Sequence, residues 1–145
     1  MMLEGGCRCG AVRYTIAVDA LPRAYACHCH ICQRWTGSAF SLQILIAEAD
    51  IAAQGPVEVL ELRTEDRVSS QRVCAKCHAR IYNTNTRRPG VAVVRAGTLD
   101  ASEELECAAH IFTNYRQRWF ALPDDVPSWP EAPDMAALFA AVTRT

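Results

Sequence analysis

Eight cysteines in 145 residues, at Cys7, Cys9, Cys27, Cys29, Cys32, Cys74, Cys77 and Cys107, constrain this chain more than any other feature. All but Cys107 fall in tight groups: a CxC pair at Cys7 and Cys9, the run Cys27-His28-Cys29-His30-Ile31-Cys32, and a CxxC pair at Cys74 and Cys77. Disulfides would suit a secreted protein, but the opening Met1-Met2-Leu3-Glu4-Gly5-Gly6 has no basic n-region, apolar h-region or cleavage site. No run approaches the roughly 18 apolar residues of a membrane span; the most apolar stretch, Phe40 to Ala47, is interrupted by Ser41 and Gln43. A cytoplasmic location is therefore expected. There thiols stay reduced, and closely spaced cysteines serve as metal ligands or catalytic groups rather than bridges.

Spacing partitions the ligands. In an extended segment Cys7 and Cys9 project from one face and can converge on one ion. Cys74 and Cys77 have the spacing at which a tight turn presents two thiolates to a tetrahedral centre. Together the pairs complete a four-thiolate shell tying the first strand to a distant one, and a structural zinc contributes about 10 to 16 kcal/mol of apparent binding free energy. Cys27, Cys29 and Cys32 cannot close such a shell alone. Two arrangements stay open: three protein ligands with a free fourth position for chemistry, or a second closed site completed by His28, His30 or Cys107. Ligand count favours the open site.

The rest of the chain sets the scaffold. With 15 basic and 16 acidic residues the formal charge is −1, which provides no excess positive field for a nucleic acid or an anionic bilayer. A composition 50% hydrophobic and 21% charged predicts a globular chain of one domain. Gly10 to Val18 alternates, with Val12, Tyr14, Ile16 and Val18 on one side, as a half-buried strand does. Short strand-like segments follow at Phe40 to Ile46, Val57 to Arg63, Arg67 to Val73, Arg80 to Asn83, Val91 to Ala96, Ala109 to Asn114 and Trp119 to Leu122. Pro123 to Pro133 reads as a looser stretch, and only Asp134 to Val142 reads as a helix, with Asp134 as N-cap. The expectation is a mainly β fold with one short C-terminal helix packed on a sheet edge or end.

The order Gly6-Cys7-x-Cys9-Gly10-x-Val12-x-Tyr14, then Cys27-His28-Cys29-x-x-Cys32 followed by Thr36-Gly37-Ser38-Ala39-Phe40, then Cys74-x-x-Cys77, resembles the glutathione-dependent formaldehyde-activating enzyme family, which shares its domain with centromere protein V. Pro89-Gly90, Ala96-Gly97-Thr98-Leu99-Asp100, His110-Ile111, Trp119, Asp125-Val126-Pro127 and Trp129 extend the resemblance, from about Leu3 to Trp129. It implies an Mss4-like β-tent of short antiparallel strands around two zinc ions, one domain over residues 3–130, with residues 131–145 as its C-terminal helix and tail. It implies a structural zinc on Cys7, Cys9, Cys74 and Cys77, and a labile or catalytic zinc on Cys27, Cys29 and Cys32. The implied reaction joins the thiol of glutathione to formaldehyde as S-hydroxymethylglutathione, the reverse being that of a carbon-sulfur lyase. Three thiolates around a divalent ion leave a net charge of about −1, which weakens Lewis acidity and favours a thiol-activating role. The implied partners are a small thiol such as glutathione and an aldehyde, with no membrane and no nucleic acid. A second reading is a non-catalytic, zinc-stabilised binding module for a protein or nucleic acid.

The remaining candidates divide between chemistry and structure. Thr36, Gly37 and Ser38 follow the trio as a turn whose amides are candidate substrate contacts. Arg34, Arg87, Arg88, Arg95, Arg116 and Arg118 have the fork geometry that grips carboxylates, against a reading as solvated surface. The family usually has Gly after its second CxxC, where this chain has His78-Ala79. His78 is either a group beside the metal or a surface residue in a tolerated left-handed turn, and the latter is favoured. His110 reads as a structural histidine and Cys107 as a small buried hydrophobe.

Overall fold

The computed structural model describes residues 1–143. In chain order the strands are β1 Met2–Gly6, β2 Arg13–Ala17, β3 Ala24–Cys27, β4 Ser41–Ala47, β5 Ile51–Gln54, β6 Val57–Arg63, β7 Val68–Cys74, β8 Arg80–Asn85, β9 Val91–Arg95 and β10 Cys107–Ile111; the α-helices are α1 His30–Thr36 and α2 Met135–Val142. The fold is mainly β, as expected. The chain forms two compact units, Met1–Leu21 with Leu45–Glu104, and Pro22–Ile44 with the chain from Leu105 onward. No described helix is long and apolar enough to cross a membrane.

The first unit has two antiparallel arrays, β1-β2-β5 and the meander β6-β7-β8-β9. In β2 the period of two is realised: Tyr14 and Ile16 are buried, while Arg13 and Ala17 face outward. Val12, also buried, ends the loop from Cys7 instead of opening the strand, so the Gly10 to Val18 expectation begins too early. The close packing of β1 on β2 requires glycine at position 5. A Cβ there would lie 2.3 Å from the Tyr14 ring and 2.6 Å from the Thr98 carbonyl oxygen. That ring is held by a 2.8 Å hydrogen bond between the Tyr14 hydroxyl and Thr98 Oγ1. β6 to β9 follow the strand-like segments of the sequence within a residue or two.

In the second unit β3 is the hub. All four of its residues are buried, and it pairs antiparallel with β4 and parallel with β10. The parallel pair is an exception to the expected antiparallel build. His28 continues that ladder, donating its N–H to the Ile111 carbonyl at 3.0 Å. β10 ends two residues earlier than the Ala109 to Asn114 segment because Phe112 takes a positive φ of 55°. The proline-rich stretch is not loose but lies along the end of β10. The Pro127 carbonyl accepts from His110 N–H at 3.1 Å, Trp129 N–H donates back to the His110 carbonyl at 2.9 Å, and the Trp129 carbonyl accepts from Thr113 N–H at 3.0 Å. Prolines lack a donor but keep an acceptor, which suits them to such an edge.

α2 buries Leu138 and Val142, and its Val142 carbonyl accepts from Arg23 N–H at 3.2 Å. Asp134 occupies its N-cap position without a side-chain cap bond. Trp119 to Leu122 is a turn rather than a strand, with Phe120 N–H donating to the Gln117 carbonyl at 3.0 Å. β1, β3, β5 and α1 are elements the periodicity analysis did not isolate.

Gly5→Ala forces apart the Tyr14 ring and the Thr98 carbonyl and lowers stability by about 1 to 3 kcal/mol. Gly97→Ala, where an added Cβ meets nothing within 4 Å, serves as the neutral control. Urea midpoints of the two variants measure the difference; equal midpoints contradict the packing argument.

Candidate metal centres

The first cluster lies wholly within the first unit. Cys7 and Cys9 converge from a turn, not from one face of an extended segment. The turn is closed by Cys7 N–H on the Val12 carbonyl at 3.1 Å and by Gly10 N–H on the Cys7 carbonyl at 3.2 Å. The second pair sits in the β7 to β8 connection, where His78 N–H reaches the Cys74 carbonyl at 2.9 Å and Cys74 N–H reaches the Ala79 carbonyl at 3.0 Å. His78 takes φ of 63° there and is exposed. The four sulfurs all lie within 4.8 Å of one another, with Cys7 to Cys9 at 3.6 Å and Cys9 to Cys74 at 3.8 Å. Thiolates at about 2.3 Å from a tetrahedral zinc stand about 3.8 Å apart, so the residues fit such an ion.

Main-chain N–H groups point at these sulfurs, from Val12 to Cys7 at 3.3 Å and from Lys76 and Cys77 to Cys74 at 3.4 and 3.5 Å. Burial opposes ionisation of Cys7, yet the Val12 N–H and the thiols of Cys9, Cys74 and Cys77 bring its pKa down to about 6. Cys9 accepts the Ala11 N–H but is pushed up to about 11, chiefly by its bond to Cys7. Negative charge is shared within the group rather than carried by every sulfur.

The second cluster lies in the second unit. Cys27 ends β3, Cys29 is the N-cap of α1 with φ −63° and ψ 154°, and Cys32 stands in its first turn. Cys29 Sγ accepts the Cys32 N–H at 3.3 Å, the role a serine hydroxyl plays at other helix starts. The ligand spacing is therefore also a capping signal, which the expectation of a single helix overlooked. These three sulfurs lie within 4.8 Å of one another, Cys27 to Cys29 at 3.6 Å. Hydrogen bonds from Cys27 and Cys32 hold the Cys29 thiol well below its ordinary range, and the same bonds, with burial, push Cys27 up.

α1 ends at Gly37, which takes φ of 62° and returns its N–H to the Gln33 carbonyl at 2.8 Å. Thr36 Oγ1 donates to the Cys32 carbonyl at 3.0 Å and accepts the Ser38 N–H at 3.2 Å. Thr36, Gly37 and Ser38 are exposed, one helical turn beyond Cys32.

None of the three candidate fourth ligands joins this sulfur group. His28 is fully buried, its Nε2 2.9 Å from His110 Nδ1 and its ring against Phe40 and Phe120. Burial, with the charges of His110 and Arg116, depresses its pKa to about 4, so it is neutral at pH 7. His30 is exposed and sets its ring edge on Tyr115 at 5.3 Å. Cys107 Sγ donates to the Ala109 carbonyl at 3.5 Å and lies 3.8 Å from His110 Nε2, and burial pushes its pKa up. His110 is thus half of a buried imidazole pair.

Arg87 is paired with Asp66, Arg95 donates to Asn83 Oδ1, and Arg116 donates to the Thr113 carbonyl; Arg34 and Arg118 are exposed. Two glutamines, absent from the sequence-based candidates, complete the second site. Gln33 Nε2 donates to the carbonyls of His28 and Tyr115 at 2.7 and 2.8 Å. Gln43, 6% exposed, donates through Nε2 to Cys32 Sγ at 3.7 Å. The available signal was one polar residue inside the apolar strand Leu42-Gln43-Ile44-Leu45.

The sequence pattern of the glutathione-dependent formaldehyde-activating enzyme family matches residues 2–115, and the chain belongs to that family. Among solved structures, the crystal structure of a Rhodobacter sphaeroides protein is similar with a TM-score of 0.56 and 16% sequence identity, covering 86% of this chain and 98% of that one. At that identity the likeness shows the fold alone.

His78 touches no sulfur group and sits in a backbone region that disfavours side chains by roughly 1 to 2 kcal/mol. His78→Gly is therefore expected to raise stability by about 1 kcal/mol with unchanged metal content, measured by denaturant midpoint and elemental analysis. Loss of metal in this variant would make His78 a member of the site.

Proposed function

We propose that this member of the glutathione-dependent formaldehyde-activating enzyme family is a cytoplasmic two-zinc enzyme of the carbon-sulfur lyase type, acting on a thiol-aldehyde adduct. The substrates are glutathione and formaldehyde, giving S-hydroxymethylglutathione, or a related thiol and aldehyde. The observation that carries the reading is the inequality of the two clusters, one of four sulfurs and one of three. Four thiolates saturate a tetrahedral ion and three leave a position for substrate. Zinc bound by Cys27, Cys29 and Cys32 supplies a cationic centre that lowers the pKa of a thiol entering that position.

The protein's own groups then orient and shelter. α1 fixes Cys29 and Cys32 by its cap, β3 fixes Cys27, and Gln33 clamps the His28 carbonyl between the first two ligands. Thr36, Gly37 and Ser38 are positioned to contact the substrate backbone, and the exposed Arg34 and Arg118 suit its carboxylates. In the forward direction the thiol sulfur forms a bond to the carbonyl carbon, and the thiol proton ends on the carbonyl oxygen.

Elemental analysis is expected to find two zinc ions per chain. Cys29→Ser retains a capping hydroxyl but removes a ligand, so it is expected to lose one ion, keep its fold and abolish the acceleration of adduct formation followed by exchange NMR. Cys74→Ser removes a site worth about 10 to 16 kcal/mol, comparable with a whole domain's stability, and is expected to unfold. A wild-type protein that leaves the glutathione and formaldehyde exchange rate unchanged, and is not shifted in melting temperature by any thiol, sinks the enzymatic reading.

A further inference from the structure

We propose that Gln43 tunes Cys32 and makes it the arm of the three-thiol centre that yields to an incoming thiol. The inference rests on the reading of that centre as the working metal site. Gln43 lies on β4 opposite Tyr25 of β3. Its side chain is 6% exposed, and an amide so buried has to place its polar atoms on partners. It donates to Cys32 Sγ at 3.7 Å.

The N–H groups aimed at sulfur differ in kind between positions. Cys29 takes a main-chain N–H as part of the cap of α1, and the donors to Cys7 and Cys74 are main-chain as well. Such bonds belong to the turns themselves. At Cys32 the donor is a side chain reaching across from another strand. An N–H on a thiolate draws charge from sulfur, weakens its hold on a cation, and gives the thiolate a partner when it lets go. Without that partner a detached thiolate in this half-buried place is an unpaired charge with its solvation removed. Cys27, at the end of a buried strand, and Cys29, fixed as the cap, have no comparable freedom.

In the exchange one metal-sulfur bond breaks at Cys32 as another forms to the incoming thiol. The thiol's proton passes to the departing Cys32 Sγ, so the charge of the centre is unchanged. Gln43 acts through Cys32 and is a positioning residue.

The test follows zinc transfer from the fully loaded chain to a chromogenic chelator at neutral pH. The wild type is expected to release zinc in two phases, the fast one from the trio. Gln43→Met, similar in size but without a donor, is expected to slow the fast phase about tenfold and leave the slow phase unchanged. An unchanged fast phase overturns the proposal. A second measurement needs no variant: in the cadmium-loaded wild type, the Gln43 side-chain amide proton is expected to couple through Cys32 Sγ to one of the two cadmium signals. Absence of that coupling overturns the proposal even if Gln43→Met does not fold. A wild type holding one metal ion, released in a single phase, overturns the working-site reading itself.

Discussion

Thiolates repel one another, and this chain gathers them into two knots where every sulfur lies within 4.8 Å of its companions. Neither knot can ionise fully by itself. Protons are shared unevenly instead: Cys7 is drawn down to about 6 while Cys9 is driven up to about 11, and Cys29 falls while Cys27 rises. A divalent cation relieves that conflict, and the turns that place the sulfurs hold little else together. The fold around each knot is consequently a frame for cation binding, with strands supplying the rigidity that a short loop lacks.

Much of this was legible in the sequence because two kinds of spacing are strict. Metal-ligand spacing separated the four-sulfur group from the trio, and alternation in Tyr14 and Ile16 located β2 and its buried face. The failures have equally physical origins. β3 is buried on all sides, so Ala24 to Cys27 shows no alternation to detect. α1 has no buried residue and thus no apolar face, and its start signal is a cysteine doing what serine or aspartate ordinarily does. The proline-rich stretch was misread as loose because proline's missing donor was noticed and its remaining acceptor was not.

The site was legible in its ligands and hidden in its supports. No spacing rule announces that Gln33 would reach the carbonyls of His28 and Tyr115, or that His28 and His110 would form a neutral pair. These contacts depend on chain segments brought together by the parallel β3 and β10 pair, a long-range event that local pattern does not encode. His78 is an informative intermediate case. Its left-handed backbone was anticipated from what a glycine does at that point of a knuckle, and the turn keeps its hydrogen bonds with a histidine in place.

The parallel pair also has a consequence for biosynthesis. His28 and His110 are separated by 82 positions, so at translation rates of about 5 to 20 residues per second the trio leaves the ribosome roughly 4 to 16 seconds before its covering strand is made. Throughout that interval three thiols are naked on a nascent chain, open to oxidants and to whichever cation arrives first. Loading of the second unit is thereby a contest decided during translation, before the strand that buries Cys27 exists.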